Sequence, residues 1–165
     1  MNEPAMFDSR RVADATDALR SYLPLPGFGV LPVNCFVVHA AQPLLIDTGL
    51  KALREAFMDA LRSVIDPARL RWIFLTHTDP DHVGNLEAVL AAAPQARLVT
   101  NYLGMGKLSL GLLPVDRVYL LNPGQQLDLG DRRMLSVRPP CYDAPETMAL
   151  FDARTEVFFS SDCFG

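Results

Sequence analysis

A short polar segment directly after an apolar run constrains this chain more than any other feature. The segment His77-Thr78-Asp79-Pro80-Asp81-His82 places two imidazoles and two carboxylates within six residues. The preceding residues 70–76 are mostly apolar and predict a buried strand, which would deliver the segment to an edge of a sheet. Imidazoles and carboxylates packed this closely must be exposed, protonated or bound to a cation. The segment therefore predicts a site for a divalent metal ion.

The same segment has a purely structural alternative, because aspartate and proline are common in turns and at helix N-caps. Asp79 or Asp81 could cap a helix that begins near Gly84. Capping accounts for one aspartate but not for the second aspartate and both histidines. The metal site is the favoured hypothesis, and the turn-and-cap alternative stays open.

Length and charge limit the classes of protein to which the chain can belong. It has 165 residues, half of them apolar, and a formal net charge of −4, so a single domain is expected over residues 1–165. The acidic balance and the lack of Lys/Arg clusters argue against nucleic-acid binding. No apolar run reaches membrane-spanning length and no leader-like pattern opens the sequence, so a cytoplasmic protein is expected.

The order of the predicted elements favours a mixed sheet. Residues 1–23 are expected to form a weakly held N-terminal arm with a short amphipathic piece, followed by a break rich in proline and glycine. Hairpins, then alternating strands and helices, then further hairpins follow. Strands are predicted at 30–39, 43–47, 70–76, 97–100, 118–121, 126–131, 134–138, 148–152 and 157–162, and helices at 50–65, 85–92 and 102–110.

Three stretches of the chain together resemble the metallo-β-lactamase superfamily. They are LIDTG at 45–49, THTDPDHVGN at 76–85 and SSD at 160–162. The acidic Asp79, where most hydrolases of the superfamily carry histidine, is similar to the flavodiiron, oxygen-binding diiron branch. The resemblance implies an α/β (α+β) four-layer αβ/βα sandwich of metallo-β-lactamase type, incomplete at its C-terminal end.

The resemblance also implies a set of metal ligands. It assigns His77 and Asp79 to one metal ion and Asp81 and His82 to the other. Asp162 would be the carboxylate that bridges the two ions, and the alternative for Asp162 is a turn residue at the end of a strand.

Three further residues carry alternatives that the sequence leaves open. Asp143, separated from Asp162 by the eighteen residues 144–161, stands where the family has a third histidine. It is either a substitute carboxylate ligand or a turn aspartate in a site that has lost its metal. Asp47 is either a support beneath the ligand loop or a helix N-cap. His39 is either a metal ligand or a structural histidine in a strand, and the structural role is expected. The family's last histidine ligand has no counterpart in these 165 residues.

The ligand set leaves three hypotheses for function. Its oxygen-rich donors favour two divalent metal ions, with iron preferred and manganese or zinc as alternatives. The first hypothesis is a dinuclear non-haem iron protein that binds or reduces dioxygen or a related small oxidant, with electrons from a separate donor. The second is a metal-dependent hydrolase in which the metal pair activates water. The third is a metal-free, non-catalytic family member.

The resemblance assigns no catalytic side chain beyond the ligands.

The apolar segments 148–151 and 157–159 are expected to lack part of their covering layer. Self-association is therefore expected, because exposed apolar patches and open sheet edges associate.

Overall fold

The chain forms two β-sheets and a layer of helices in a computed structural model that describes residues 3–164; what was expected of residues 1, 2 and 165 lies outside that range. The large sheet contains β1 Ala5–Met6, β2 Arg10–Ala13, β3 Thr16–Leu25, β4 Gly29–Val38, β5 Leu44–Ile46, β6 Trp72–Phe74, β7 Arg97–Thr100 and β8 Val118–Leu120. The small sheet contains β9 Gln126–Asp128, β10 Arg133–Val137, β11 Ala149–Asp152 and β12 Val157–Phe159. The α-helices are α1 Arg54–Val64, α2 Pro80–Val83, α3 Leu86–Ala92 and α4 Tyr102–Leu110, and 3-10 turns lie at Lys51–Leu53, Pro67–Arg69 and Ser161–Phe164.

The topology of the large sheet brings three polar segments to one edge. The strand order is β1-β3-β4-β5-β6-β7-β8, with β2 also paired to β3. Strands β5 to β8 are parallel to one another. Because parallel strands end at the same edge, the segments that begin at Asp47, Leu75 and Asn101 all emerge on one side. The ligand segment 77–82 belongs to the second of them.

Two apolar cores hold the layers together. One lies between the helices and the large sheet and includes Phe57, Leu61 and Ile73. The other lies between the two sheets and includes Phe74 and Leu150. Ile73 and Phe74 are neighbours in β6 and point to opposite faces, as the geometry of a strand requires. Residues 3–164 thus form three layers of the expected sandwich, and the fourth layer is not found among them.

The predicted helix at 50–65 illustrates how closely the elements agree. Its first turn is the 3-10 turn Lys51–Leu53, and α1 follows directly. Phe57, Met58 and Leu61 are buried on one face of α1, as their spacing predicts.

No helix within the described residues combines the length and the apolar character that crossing a membrane requires.

For the described residues 3–23, the expectation of a weakly held arm is wrong. β3 is a ten-residue strand in this region, and its Ala18 and Leu19 are 2% and 1% exposed. β1 and β2 pair with the outer edge of β3. The prolines and glycines after β3 form the turn of a hairpin, with Gly27 at φ +81°, rather than a boundary between an arm and a domain.

A buried carboxylate fastens the strands at this end of the large sheet. Asp17 of β3 accepts hydrogen bonds from Arg11 Nε at 2.7 Å and Nη2 at 3.1 Å, and from His39 Nε2 at 2.7 Å. His39 is therefore a structural histidine, as expected. The hydrogen bonds from Arg11 and His39 outweigh burial and lower the pKa of Asp17 below its ordinary value.

Replacing Asp17 with asparagine is expected to destabilise the protein by about 1–2 kcal/mol at pH 7, roughly 2–6 °C in melting temperature. The folded-state pKa of Asp17 is lowered, so the stabilisation is fully present above the unfolded pKa, near about 4. It is lost as the pH falls through the folded pKa, and the difference between the two proteins should vanish below that pKa.

Thermal unfolding followed by circular dichroism from pH 2 to 8 measures this difference. Asp59→Asn is the matched control, because it removes an exposed Asp59–Arg62 pair at 2.9 Å that is expected to contribute little. A destabilisation by Asp17→Asn that is the same at every pH would contradict the assignment.

Candidate metal centre

The ligand segment turns into a short helix as soon as it leaves the sheet. Asp79 occupies the N-cap position of α2, but its side chain makes no capping hydrogen bond. Asp81 lies inside α2, where it cannot be the N-cap, and Pro80 occupies the first turn, where its missing N–H costs nothing. Neither aspartate caps α3, the helix expected to begin near Gly84, because its N-cap is Asn85. Asp79 does begin the shorter helix α2, so the structural alternative is excluded only for Asp81.

Asp47 holds the ring of His82 from beneath the segment. Asp47 Oδ2 accepts a hydrogen bond from His82 Nδ1 at 2.9 Å. Thr76 adds two more donors to the same carboxylate, its backbone N at 2.8 Å and its Oγ1 at 2.7 Å. Because a carboxylate only accepts, the proton of neutral His82 lies on Nδ1 and the lone pair on Nε2.

The N-cap alternative for Asp47 is wrong. Leu50 and Leu53 hold the N-cap positions of the 3-10 turn and of α1 that follow it. Asp47 itself has a left-handed backbone, with φ +58°. Such a conformation costs on the order of 1–3 kcal/mol in a non-glycine residue and persists where surrounding contacts enforce it. Asp47 is thus the support beneath the ligand loop.

His77 presents a buried nitrogen without a hydrogen-bond partner. Its side chain is fully buried, and Nε2 has no partner among residues 3–164. Thr76 Oγ1 lies 3.2 Å from His77 Nδ1 and already donates its hydrogen to Asp47. Toward His77 it can therefore only accept a hydrogen bond, from an N–H at Nδ1. Ser161 Oγ also lies 3.2 Å from His77 Nδ1 and can accept there, so both hydroxyls are compatible with a neutral His77 that carries its proton on Nδ1 and a lone pair on Nε2. A buried lone pair on Nε2 costs free energy unless it accepts a hydrogen bond or binds a metal ion.

Asp162 divides its two oxygens between the two histidines. Oδ1 lies 3.2 Å from His82 Nε2, and Oδ2 lies 3.6 Å from His77 Nε2. Two donor atoms that bind one cation at about 2.1 Å lie roughly 3.0–3.4 Å apart, so both distances are near those of a coordination sphere. This geometry suits a carboxylate that bridges two cations.

The remaining proposed ligands lie at the margins of the cluster. His77, Asp79 and Asp143 each offer one donor atom, and these atoms lie within 4.8 Å of one another. His77, His82 and Asp162 form a second group of the same kind. Asp81 belongs to neither group, although its Oδ2 lies 3.6 Å from His82 Nε2.

The cluster carries an excess of negative charge. Burial lowers the pKa of His82, but Asp47 and Asp162 outweigh this effect and raise the pKa to about 11. The hydrogen bond from His82 in turn lowers the pKa of Asp162. The carboxylates thus require positive charge at His82, and a divalent cation would supply it. The buried unpartnered nitrogen, the divided carboxylate and the oxygen-rich donor set together fit a pair of divalent metal ions.

The sequence did not single out Thr48 and Asn85, two residues that support the ligand loop. Thr48 N and Oγ1 both donate to His82 O, at 2.7 and 2.9 Å. Asn85 Nδ2 donates to Thr48 O at 2.7 Å and Leu50 O at 3.0 Å. These bonds fasten the C-terminal end of the ligand loop to the segment after β5. The only signal in the sequence was that Thr48 and Asn85 stand inside the motif stretches.

A cavity of about 250 Å³ opens beside the cluster. Asp81, His82 and Asp162 line its polar side. Phe36 and Phe159 belong to its apolar side and contact each other edge to face, with ring centroids 5.3 Å apart. The cavity is large enough for a small molecule beside the cluster, and its lining combines carboxylates with aromatic rings.

The family model described as "ODP family beta lactamase" matches residues 31–165. The chain therefore belongs to this family of metallo-β-lactamase-like proteins. The superfamily inferred from the three motif stretches is confirmed.

Two of the curated relatives that the chain matches are a flavoprotein and a reductase of greater length. Diflavin flavoprotein A 1 from Synechocystis is 31% identical over 139 residues, which cover 80% of this chain and 23% of that protein. A nitric oxide reductase from Moorella thermoacetica is 23% identical over 133 residues, which cover 80% of this chain and 33% of that protein. The chain thus spans about a quarter to a third of the length of these two relatives.

Solved structures agree on the fold. A flavo di-iron protein from Thermotoga maritima, solved as a point mutant, has a TM-score of 0.81 at 22% identity and covers 93% of this chain and 41% of that one. The flavodiiron protein from Giardia intestinalis has a TM-score of 0.84 at 14% identity, with 99% and 42% covered. The fold predicted from the motifs, that of flavodiiron cores, is confirmed.

Proposed function

We propose that this chain forms a dinuclear non-haem metal centre, with iron the favoured metal, that binds or reduces dioxygen or a related small oxidant. The observation that carries the proposal is the geometry of Asp162, whose oxygens face His82 Nε2 at 3.2 Å and His77 Nε2 at 3.6 Å. The name of the Moorella relative supports nitric oxide as an alternative oxidant.

The proposed ligands of the two ions share Asp162 as their bridge. They are His77, Asp79 and Asp143 for one ion, and Asp81 and His82 for the other. Two nitrogens against four carboxylates favour iron or manganese by ligand hardness, and zinc is the less favoured alternative.

Two bound ions would have coordination positions that the proposed ligands do not fill, where an oxidant could bind. A bound pair of iron ions would supply electrons to that oxidant. Asp47 Oδ2 accepts a hydrogen bond from His82 Nδ1, with 2.9 Å between the two atoms, and this bond keeps Nε2 of His82 directed at the site. The carboxylates would offset the charge of a bound metal pair, and Phe36 and Phe159 supply apolar rings to the lining of the cavity.

The proposal includes a separate electron donor, a cytoplasmic location and no role for nucleic acid or a membrane. It also includes self-association through the outer face of the small sheet. Leu135, Phe151 and Phe158 lie there in one cross-strand row, and Phe158 is exposed. Apolar rows of this kind are association surfaces.

The test is anaerobic loading with Fe²⁺ followed by exposure to dioxygen. We expect about two iron ions per chain, by elemental analysis, and rapid oxygen uptake with a rise in visible absorption. Asp162→Asn should hold fewer ions and take up less oxygen, whereas the exposed Asp116→Asn should behave as the unmodified chain. Sedimentation of the loaded sample reports its oligomeric state, and a monomer at high concentration would refute self-association.

Other outcomes select the alternative functions. A colourless protein that retains zinc and hydrolyses ester or amide substrates would be a metallohydrolase. A chain that binds neither iron, manganese nor zinc would be the metal-free family member.

A further inference from the structure

We propose that Glu146 is a positioning residue that sets the distance between the two loops carrying the ligands His77, Asp79 and Asp143; this inference rests on the proposed function. Glu146 is 1% exposed. Its Oε2 is buried and has no hydrogen-bond partner among the described residues. A buried carboxylate that leaves one oxygen unpaired costs stability, so stability alone does not account for its presence.

The carboxylate of Glu146 joins the two loops directly. Its Oε1 accepts a hydrogen bond from Thr78 Oγ1 at 2.7 Å. Thr78 stands between His77 and Asp79, and Glu146 follows Asp143 by three residues. One hydrogen bond therefore ties the loop with His77 and Asp79 to the loop with Asp143.

Helix α4 supplies the rigid reference for this contact. Lys107 Nζ donates to the same Oε1 at 2.7 Å, and Asn101 Nδ2 donates to Glu146 O at 2.8 Å. Asn101 also caps α4, because its Oδ1 accepts from Gly104 N at 2.9 Å. Burial raises the pKa of Glu146, but the hydrogen bonds from Lys107 and Thr78 outweigh it and the pKa is lowered. Glu146 is thus held as a carboxylate against a fixed helix.

A second link keeps the loops paired when the side chain of Glu146 is changed. Met148 N donates to Thr76 O at 2.7 Å, a backbone contact that does not involve Glu146. Loss of the carboxylate should therefore leave the fold intact and loosen the end of the loop that carries the ligands. Groups that orient ligands in this way affect metal affinity more than they affect folding.

The experiment measures binding of Co²⁺ to the chain and the visible spectrum of the Co²⁺ protein. Glu146→Gln and Thr78→Val should each raise the dissociation constant of Co²⁺ roughly ten-fold and alter the visible bands. Glu146→Gln keeps an acceptor oxygen but loses the charge that strengthens this hydrogen bond, and Thr78→Val removes its donor. Because both substitutions act on the same hydrogen bond, the double variant should bind no more weakly than the weaker single variant. Glu55→Gln on the exposed face of α1 is the matched control and should change neither quantity.

Each outcome of this experiment supports or overturns the positioning role of Glu146. Unchanged affinity and spectrum in both single variants, or a double variant whose effect is the product of the two, would overturn the positioning role. If the unmodified chain binds neither Co²⁺ nor Fe²⁺, the proposed function fails and the role fails with it. If the unmodified chain takes up oxygen and the variants match it, only the role of Glu146 fails. Should Glu146→Gln not fold, Thr78→Val decides the test, since it changes no charge.

Discussion

Replacing His77 with alanine is expected to remove most of the bound metal and to lower the melting temperature of the metal-loaded protein by roughly 5–10 °C. His77 belongs to both groups of three donors, so its loss weakens both. Metal that binds only the folded state adds RT ln(1 + [L]/Kd), about 2.7 kcal/mol when its concentration is 100 times Kd. That stabilisation disappears with the metal, and the carboxylates around the site are left without their counter-charge.

Elemental analysis and calorimetry of both forms measure these effects. His39→Ala is the internal control: it removes the 2.7 Å bond to Asp17 and should leave the metal content unchanged. Equal and negligible metal in both variants would contradict the metal centre. The same holds if added Fe²⁺, Mn²⁺ or Zn²⁺ leaves the melting temperature of the unmodified chain unchanged.

Replacing Gly84 with alanine is expected to cost more than about 4 kcal/mol or to prevent folding. A Cβ at this position would lie 2.3 Å from Lys51 N and 2.4 Å from Gly49 O. Both are backbone atoms, and neither can move aside as a flexible side chain would. A Cβ on residue 84 would push the two segments apart. The hydrogen bonds from Asn85 to Thr48 and Leu50, which join these segments, would then break.

Gly106→Ala is the matched control for this substitution. Gly106 lies in α4, and a Cβ there would meet nothing within 4 Å. Alanine is favoured over glycine inside a helix by about 0.5–1 kcal/mol, so this variant should be slightly more stable. Urea unfolding with a chelator present separates both effects from metal binding. A Gly84→Ala protein within about 1 kcal/mol of the unmodified chain would show that the two segments can move apart.

The parts of the fold that depend on neighbouring residues could be predicted from the sequence. Helix α1 and strand β7 follow from apolar spacing and from short runs of β-formers, and both lie close to their predicted bounds. Strand β3 could not be predicted in this way. Its buried residues Ala18 and Leu19 become internal only when β4 pairs along its whole length, and that pairing joins residues on either side of a turn rich in proline and glycine.

The sequence by itself determined the superfamily and the cluster His77 to His82, because residue type and spacing are local properties of a chain. It connected Asp162 with this cluster only through the resemblance to the family. Only the tertiary structure decided that Asp47 holds His82, that Asp81 belongs to neither donor group, and that Glu146 contacts the ligand loop. Glu146 and Thr78 are 68 residues apart in the chain. Hydrogen bonds between residues so distant in sequence form only where the sheet topology brings their segments to the same edge, and residue order alone does not specify which donor then meets which acceptor.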